Sequence, residues 1–231
     1  MSGHFHRNPF LLKSYQQYLQ DQDEGSFTSK VLELYTQGTL ERLVEHDSPQ
    51  VRRGAVLALG LVGDYAANHA LGRALQDEDR TVRRLSEVAI RNLWVRAGND
   101  EERRQLAIIV RLNAAKRYED AVRQSTELLH KAAGFGEAWN QRAVAHFGLG
   151  RFAESIRDCH QAMEINPYHF GAAAGMGQAF LQLGNHVSAL ECFRRALRLN
   201  PDLEAVRTQV ARLTRLLGDK GNRGAKEQGS G

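Results

Sequence analysis

The sequence predicts an all-α protein, folded as a right-handed α-α superhelix, or solenoid, of stacked helical hairpins. Two internal repeats carry this prediction. The pair Asn166-Pro167 returns 34 residues later as Asn200-Pro201, and residues 48–53 align with residues 79–84 at a spacing of 31. Fixed periods of this length are typical of solenoids. Apolar residues follow the helical period through the chain and show no strand-like alternation, which indicates helices throughout.

Composition indicates a soluble protein of 231 residues, with 42% hydrophobic and 25% charged residues. The aromatic share of 7% suits thin helical layers, and a net charge of +4 is weak support for a polyanionic partner. Cys159 and Cys192 show no metal-binding spacing and lie in predicted helices, so we expect reduced thiols. No long apolar run and no leader-like start are present, which favours a cytoplasmic location.

The 34-residue repeat carries a recognisable residue pattern. Trp139 and Ala143 open one copy, whereas Arg142 and His146 stand where leucine and tyrosine would complete that pattern. The following copy supplies Gly177, Phe180, Ala189, Phe193, Ala196 and Pro201. Residues 102–217 therefore resemble the tetratricopeptide family, with its W-x2-L-G-x2-Y, A-x3-F and P positions. The resemblance implies helical hairpins whose first helices line a concave groove.

The repeated small and special residues have physical roles in such hairpins. Gly150 and Gly184 follow apolar helix ends, where a left-handed cap is free of strain only for glycine. Pro167 and Pro201 end the second helix of a hairpin. Ala189 should lie where two helices approach most closely.

The upstream repeat has its own pattern, D-x3-V-R-x2-A-x2-A-L-G, which runs from Asp47 to Gly60. It resembles the short HEAT repeats of phycobilisome lyase-like proteins. Ser48 and Asp79 are placed to cap the second helix of each unit, and Pro49 suits the first helical turn.

These patterns predict five regions. Residues 1–27 form an extension with a helix over 9–22, and residues 28–98 hold the HEAT-like repeats, with a degenerate helix over 28–37. Three tetratricopeptide-like repeats follow at 102–135, 136–169 and 170–203. A capping helix covers 204–217, and 218–231 is predicted to be disordered because it lacks an apolar anchor. The short link at 98–100 predicts that the two arrays stack into one superhelix.

The resemblance implies a peptide-binding groove, because the first helix of each hairpin lines the concave face in this family. The register assigns to that groove apolar residues for a floor and amides that can hold a peptide backbone. They are Leu106, Val110, Asn113, Asn140, Val144, Phe147, Gln178, Leu181 and Gln182. The corresponding function is a non-catalytic scaffold or adaptor that binds a protein segment of unknown identity.

Two glycines argue against one familiar partner. The family's clamp for acidic C-terminal chaperone tails needs Lys and Arg in the third hairpin, where Gly171 and Gly175 stand instead. With Gly177 these residues faintly resemble a glycine-rich phosphate loop, but no strand precedes them and no Lys-Ser/Thr follows. The repeat register places them within a helix, which favours a slim helix that packs closely or lines a groove.

Paired arginines at the same place in successive HEAT-like units define a candidate basic surface, Arg52, Arg53, Arg83 and Arg84. Such a surface could bind phosphates, and nucleic acid is one alternative partner. However, acidic residues precede each pair, and residues 1–100 hold 12 Lys/Arg against 13 Asp/Glu. Arginine–carboxylate pairing between neighbouring repeats is the favoured interpretation.

The sequence contains no clear metal-binding or catalytic pattern. The nine histidines are scattered, without an HExxH or similar pair, so no metal and no cofactor is expected. No catalytic triad or carboxylate pair can be selected, which favours a protein that is not an enzyme. One alternative remains by fold analogy with HEAT-containing lyases, a lyase-associated or chromophore-handling role. No membrane partner is expected.

Overall fold

The computed structural model describes residues 10–228, with side chains described as far as Gly218. Within that range the chain forms thirteen α-helices, one short 3₁₀-helix and no β-strand, which confirms the predicted all-α fold. The chain divides into two compact units, Met1–Arg96 and Ala97–Gly231.

The first unit contains six α-helices and the 3₁₀-helix. They are α1 (Phe10–Asp21), α2 (Glu24–Leu34), α3 (Gln37–Leu43), α4 (Pro49–Val62), the 3₁₀-helix (Tyr65–Ala67), α5 (Asn68–Ala74) and α6 (Arg80–Val95). Helices α3 and α4 form one hairpin and α5 and α6 the next, and α4 packs against α6. The helix predicted at 28–37 begins earlier, at Glu24.

Helices α1 and α2 cover α4. Gly54 allows α1 to approach, since a Cβ atom there would lie 3.2 Å from Tyr15 Cβ and 3.3 Å from Leu11 Cγ. The backbone N–H of Leu11 donates to the Tyr35 hydroxyl at 2.9 Å, which satisfies one of the free donors at the start of α1.

The two predicted helix caps of the first unit behave differently. Asp79 accepts a hydrogen bond from the Val82 N–H at 2.9 Å, as an N-cap residue should. Ser48 occupies the N-cap position of α4 but makes no cap hydrogen bond. Its hydroxyl donates instead to Gln50 Oε1 at 2.9 Å. Pro49 follows at the first helical position, where a missing N–H costs nothing.

The second unit contains three hairpins and a closing helix. They are α7 (Asp100–Ala114) with α8 (Tyr118–Lys131), α9 (Gly136–Gly148) with α10 (Phe152–Ile165), α11 (Phe170–Gln182) with α12 (His186–Leu199), and α13 (Glu204–Gln228). Each helix packs on the next, and the first helices α7, α9 and α11 are also neighbours. This arrangement places the three first helices side by side, as the repeat register requires.

The hairpin turns show why the second and third hairpins have glycine after their first helix. Gly150 and Gly184 have φ values of +74° and +72°, the left-handed conformation predicted for them. Lys116 occupies the same position in the first hairpin and has a φ of +58°. A side chain disfavours this conformation, so the first hairpin bears a strain that the others avoid.

The recurring Asn-Pro pair is also structural. Asn166 and Asn200 are buried, and their Oδ1 atoms accept the N–H of Tyr168 and Asp202, each at 3.1 Å. Such side-chain turns hold the link between one hairpin and the next.

The core of the last two hairpins depends on small residues in α11 and α12. Ala189 is fully buried in a cluster with Phe193 and Met163. A Cβ atom at Gly177 would lie only 2.7 Å from the Phe193 ring, so glycine is required for this packing.

The closing helix differs from the prediction. Helix α13 continues to Gln228, beyond the predicted end at residue 217, so residues 218–228 are helical rather than disordered. The segment lacks proline, and its glycines weaken a helix by about 1 kcal/mol each without ending it. Residues 229–231, like residues 1–9, lie outside the described part of the chain.

Candidate binding pocket and groove

A hollow of about 160 Å³ lies between α9, α10 and α11. We call it the α9–α11 pocket, and nine residues line it: Asn140, Ala143, Val144, Phe147, Ser155, Cys159, Gly171, Gly175 and Gln178. Four of these, Asn140, Val144, Phe147 and Gln178, belong to the predicted groove. The structure therefore brings part of the predicted set together on two neighbouring first helices.

The other five predicted groove residues do not line the pocket. Leu106 is fully buried in the core formed with Ile109, so its assignment to the groove is wrong. It faces inward because α7 needs an apolar face against α8 and α9. Val110 and Gln182 are exposed elsewhere, and Leu181 is half-buried against the core of the last hairpins. The fifth residue, Asn113, is bonded to α9.

Five lining residues were missed by the groove prediction, namely Ala143, Ser155, Cys159, Gly171 and Gly175. Cys159 and Ser155 come from α10, a second helix of a hairpin, which the groove prediction left out. The two glycines could have been found from the repeat register. They stand 34 residues after Glu137 and Gln141, so α11 has no side chains where α9 carries long polar ones.

A buried carboxylate lies beside the pocket. Glu137 accepts hydrogen bonds from Gln141 Nε2 at 2.7 Å, His169 Nε2 at 3.0 Å and Asn140 Nδ2 at 3.1 Å. His169 Nδ1 accepts the Ala172 N–H at 3.1 Å, which leaves Nε2 as the protonated, donating nitrogen. Burial raises the pKa of Glu137, but the hydrogen bonds from His169, Gln141 and Asn140 lower it by more. The net result is a pKa below the usual value. The carboxylate is therefore ionised.

The same network reaches α7. Asn113 Nδ2 donates to the Gln141 carbonyl oxygen at 2.9 Å and to Gln141 Oε1 at 3.0 Å. The Asn113 amide nitrogen thus ties α7 to α9, and the Asn140 amide nitrogen is bonded within α9, so neither nitrogen is free for a peptide as predicted. Asn140 Oδ1 and the whole Gln178 amide have no partner among the described residues.

The two departures from the tetratricopeptide pattern pair with α10. Arg142 donates through Nε and Nη2 to the Asp158 carboxylate at 2.8 and 2.9 Å, and its guanidinium stacks on Trp139. His146 Nε2 lies 3.7 Å from Asp158. Burial lowers the pKa of His146, although the Asp158 charge opposes this shift. A charged pair thus replaces the apolar contact that the family pattern predicts.

The thiol in the pocket is inert. Cys159 is buried, and burial raises its pKa to about 12. It is not in a disulfide and presents a neutral, apolar surface to the pocket. Cys192 is also a free thiol, and burial raises its pKa as well.

The candidate basic surface of the first unit is not formed. Arg52 is buried and makes a bidentate pair with Asp77, with both N–O distances at 2.8 Å. Its Nη1 donates to the carbonyl oxygens of His46 and Asp47 at 3.1 and 3.0 Å. The acidic turn of the next repeat neutralises this arginine because a buried charge needs a partner.

Two of the remaining three arginines are also hydrogen bonded within the first unit. Arg53 pairs with Asp79 through two bonds of 2.9 and 2.6 Å. Arg83 Nη1 donates to the carbonyl oxygens of Asp77 and Glu78, the equivalents of the Arg52 contacts one repeat earlier. Of the four, Arg84 alone is exposed with no partner among the described residues.

The described part of the chain shows neither a metal site nor a membrane-spanning helix. No group of three or more His, Cys, Asp or Glu residues there could hold a metal ion. None of the described helices combines the length and apolar character needed to cross a membrane.

Comparisons with known proteins match each unit to a repeat class. Residues 36–93 match the HEAT repeats model, and residues 135–202 match the Tetratricopeptide repeat model. A TPR repeat-containing protein of Rhizobium etli is 34% identical over 89 residues, which cover 38% of this chain and 43% of that protein. Superkiller complex protein 3 of Homo sapiens is 28% identical over 81 residues, 35% of this chain and 5% of that protein. The match spans less than half the length of either relative.

A solved structure has a similar fold. The first tetratricopeptide domain of Spaghetti (RPAP3), bound to the HSP90 peptide SRMEEVD, superimposes with a TM-score of 0.50 at 20% identity. The match covers 52% of this chain and 96% of that domain. Together with the hairpin geometry and the repeat matches, this likeness places the chain among known repeat proteins. Residues 135–202 of the chain hold tetratricopeptide repeats, and residues 36–93 hold HEAT repeats.

Proposed function

We propose that the second unit is a non-catalytic protein-binding module that makes this chain a scaffold or adaptor. An extended segment of a partner lies across α9 and α11, over the α9–α11 pocket. One observation carries the proposal: an apolar pocket opens between two first helices, and the Gln178 amide and Asn140 Oδ1 at its edge have no partner among the described residues.

The pocket residues suit an extended backbone. The Gln178 amide can donate and accept at once, and Asn140 Oδ1 can accept while its Nδ2 is held by Glu137. Exposed Val144 adds apolar surface. The Phe147 ring packs edge-on against Phe152, with ring centroids 5.4 Å apart, which keeps it in place. Fixed side chains of this kind lose little entropy on binding.

The proposed segment is not an acidic chaperone tail. The Spaghetti domain binds SRMEEVD, which carries several carboxylates. No Lys or Arg lines the α9–α11 pocket, and the ionised Glu137 adds negative charge next to Asn140. Like charges across an interface are unfavourable, so such a tail would be repelled.

The test is an affinity titration with an identified partner segment. A partner captured by the full chain from source-cell extract is mapped to its bound segment, which is then synthesised and titrated by calorimetry. We expect Gln178→Ala to weaken binding by about 1–3 kcal/mol, because a polar group of the segment loses its partner. The melting temperature should barely change, since this amide has no partner within the described protein.

Gln182→Ala provides the matched control, an exposed glutamine on the same helix outside the pocket. It should leave affinity unchanged. Loss of binding in Arg84→Ala, with Gln178→Ala equal to wild type, would move the site to the first unit. Tight binding of SRMEEVD itself would overturn the exclusion of acidic tails.

A further inference from the structure

We propose that the α9–α11 pocket receives one large apolar side chain, of leucine, isoleucine, methionine or phenylalanine, from a segment without acidic residues beside it. This inference rests on the proposed function and specifies the class of segment that the groove selects. Neither the repeat class nor the groove prediction assigns such a pocket.

Gly175 has no packing reason to be glycine. At Gly177 a Cβ atom would clash with Phe193 at 2.7 Å, so that glycine is structural. At Gly175 the nearest atom to a Cβ would be Cys159 Sγ at 3.4 Å, an ordinary contact. Glycine in a helix interior costs about 1 kcal/mol relative to alanine. Packing within the protein does not account for that cost, whereas an open pocket does.

The preceding repeat has side chains at the positions of both pocket glycines. One hairpin earlier, the positions of Gly171 and Gly175 hold Glu137 and Gln141, whose side chains join the network along the first helices. With glycine at both places, α11 leaves open the space that its own side chains would fill. The pocket is therefore specific to the junction of the second and third hairpins.

The size and polarity of the pocket suit one apolar side chain. The pocket holds about 160 Å³, and an apolar cavity of about 150 Å³ in another protein binds benzene. A space of this size accommodates a phenyl ring or a branched aliphatic side chain. Ala143, Val144, Phe147 and the neutral Cys159 thiol supply apolar surface, and none of the nine lining residues is charged.

A negative charge beside the pocket bears on the residues next to the inserted side chain. The ionised Glu137 carboxylate is hydrogen bonded to Asn140 at the pocket edge. A carboxylate in the segment beside the anchor would be disfavoured by this negative charge. An apolar residue with neutral or basic neighbours is therefore the class of segment that the site favours.

The experiment is a selection of random-sequence peptides displayed on phage against the immobilised full chain. We expect the recovered peptides to share one large apolar residue and to be depleted in Asp and Glu around it. Replacement of that residue by alanine in a synthetic peptide should weaken binding about ten- to a hundredfold. This measurement leaves the protein unchanged and so does not depend on the folding of a variant.

Two variants test the pocket directly. Gly175→Leu fills it and should abolish selection for the apolar residue. Gly175→Ala adds only a Cβ atom and should keep that selection. Circular dichroism confirms that both fold.

The outcomes separate the two proposals. Peptides that bind but share no apolar residue, or that keep the same preference on Gly175→Leu, overturn the pocket and leave the binding module intact. Failure to recover any peptide above a bare support contradicts both.

Discussion

The two units treat their charged side chains in different ways. In the first unit the arginine contacts repeat: Arg52 and Arg83 each donate to carbonyl oxygens five and six residues earlier in the chain. In the second unit the Arg142–Asp158 pair occurs in one hairpin, because the next copy has Met176 and Cys192 at those positions. Polar contacts that recur in both HEAT-like repeats therefore stabilise the turns of those repeats. The Arg142–Asp158 pair, which does not recur, lies in the hairpin beside the pocket.

The largest expected effect tests whether the HEAT-like arginines are structural. Arg52→Ala leaves the buried Asp77 carboxylate without its bidentate partner and should lower the free energy of unfolding by about 3–5 kcal/mol. Chemical denaturation measures this change. The control is Arg84→Ala, an exposed arginine, which should remain within about 0.5 kcal/mol of wild type. Equal, small effects in both variants would contradict a structural role for the repeated arginine.

The next largest change in stability is expected from two glycine variants in α11. One glycine is packed against the core and the other lines the pocket. Gly177→Ala forces a Cβ atom against Phe193 and should cost about 1–3 kcal/mol. Gly175→Ala meets no such barrier and should stabilise the protein by up to about 1 kcal/mol through helix propensity. Thermal melts of both variants give the answer. Destabilisation by Gly175→Ala would show that its space is needed for packing.

Acid should affect the two units in different pH ranges. The hydrogen bonds from Arg53 lower the pKa of Asp79 to about 2. Its ionic stabilisation of the first unit, about 1–2 kcal/mol after allowance for partial exposure, is therefore present above pH 4 and lost as the pH falls towards 2. Asp79→Asn should flatten this part of a stability profile measured by denaturation.

The second unit should respond at higher pH. Burial lowers the pKa of His146 below 6.5, so the folded state favours the neutral ring and its stability falls as the pH drops below 6.5. His146→Gln cannot titrate and should lose less stability between pH 7.5 and 5.5. An identical pH dependence in wild type and variant would exclude His146 as the cause.

The smallest effect is expected at the hairpin turn, where the first tetratricopeptide hairpin has lysine and the other two have glycine. Lys116→Gly should remove the penalty of a positive φ and stabilise the second unit by about 0.5–1 kcal/mol. Gly150→Lys is the reciprocal change and should destabilise by a similar amount. Calorimetric melting temperatures of both variants test the pair, and a fall for Lys116→Gly would count against strain at this turn.

Much of the fold could be predicted because its determinants are local and periodic. The αL conformation of Gly150 and Gly184 and the cap at Asp79 follow from residue type and position. Prediction was weaker at the ends of the array. Helix α13 continues past Leu217 because glycine weakens a helix without ending it.

The candidate site could be predicted only in part. Its position on the first helices follows from the repeat register, and four lining residues were identified in advance. Leu106 was misplaced because an apolar residue on a first helix can face either the groove or the core, and helical periodicity alone leaves this choice open. Cys159 and Ser155 were missed because they belong to α10.

The amino-acid sequence alone was sufficient to predict the helical repeats and their class, since these depend on short residue patterns that recur along the chain. Which polar side chains keep free hydrogen-bonding groups depends instead on contacts between hairpins. Asn113 was predicted to face the groove, yet a contact between hairpins joins it through Gln141 to the buried Glu137. The pocket over Gly175 likewise exists only where three helices meet. Contacts between residues far apart in sequence create both features, and no local pattern records those contacts.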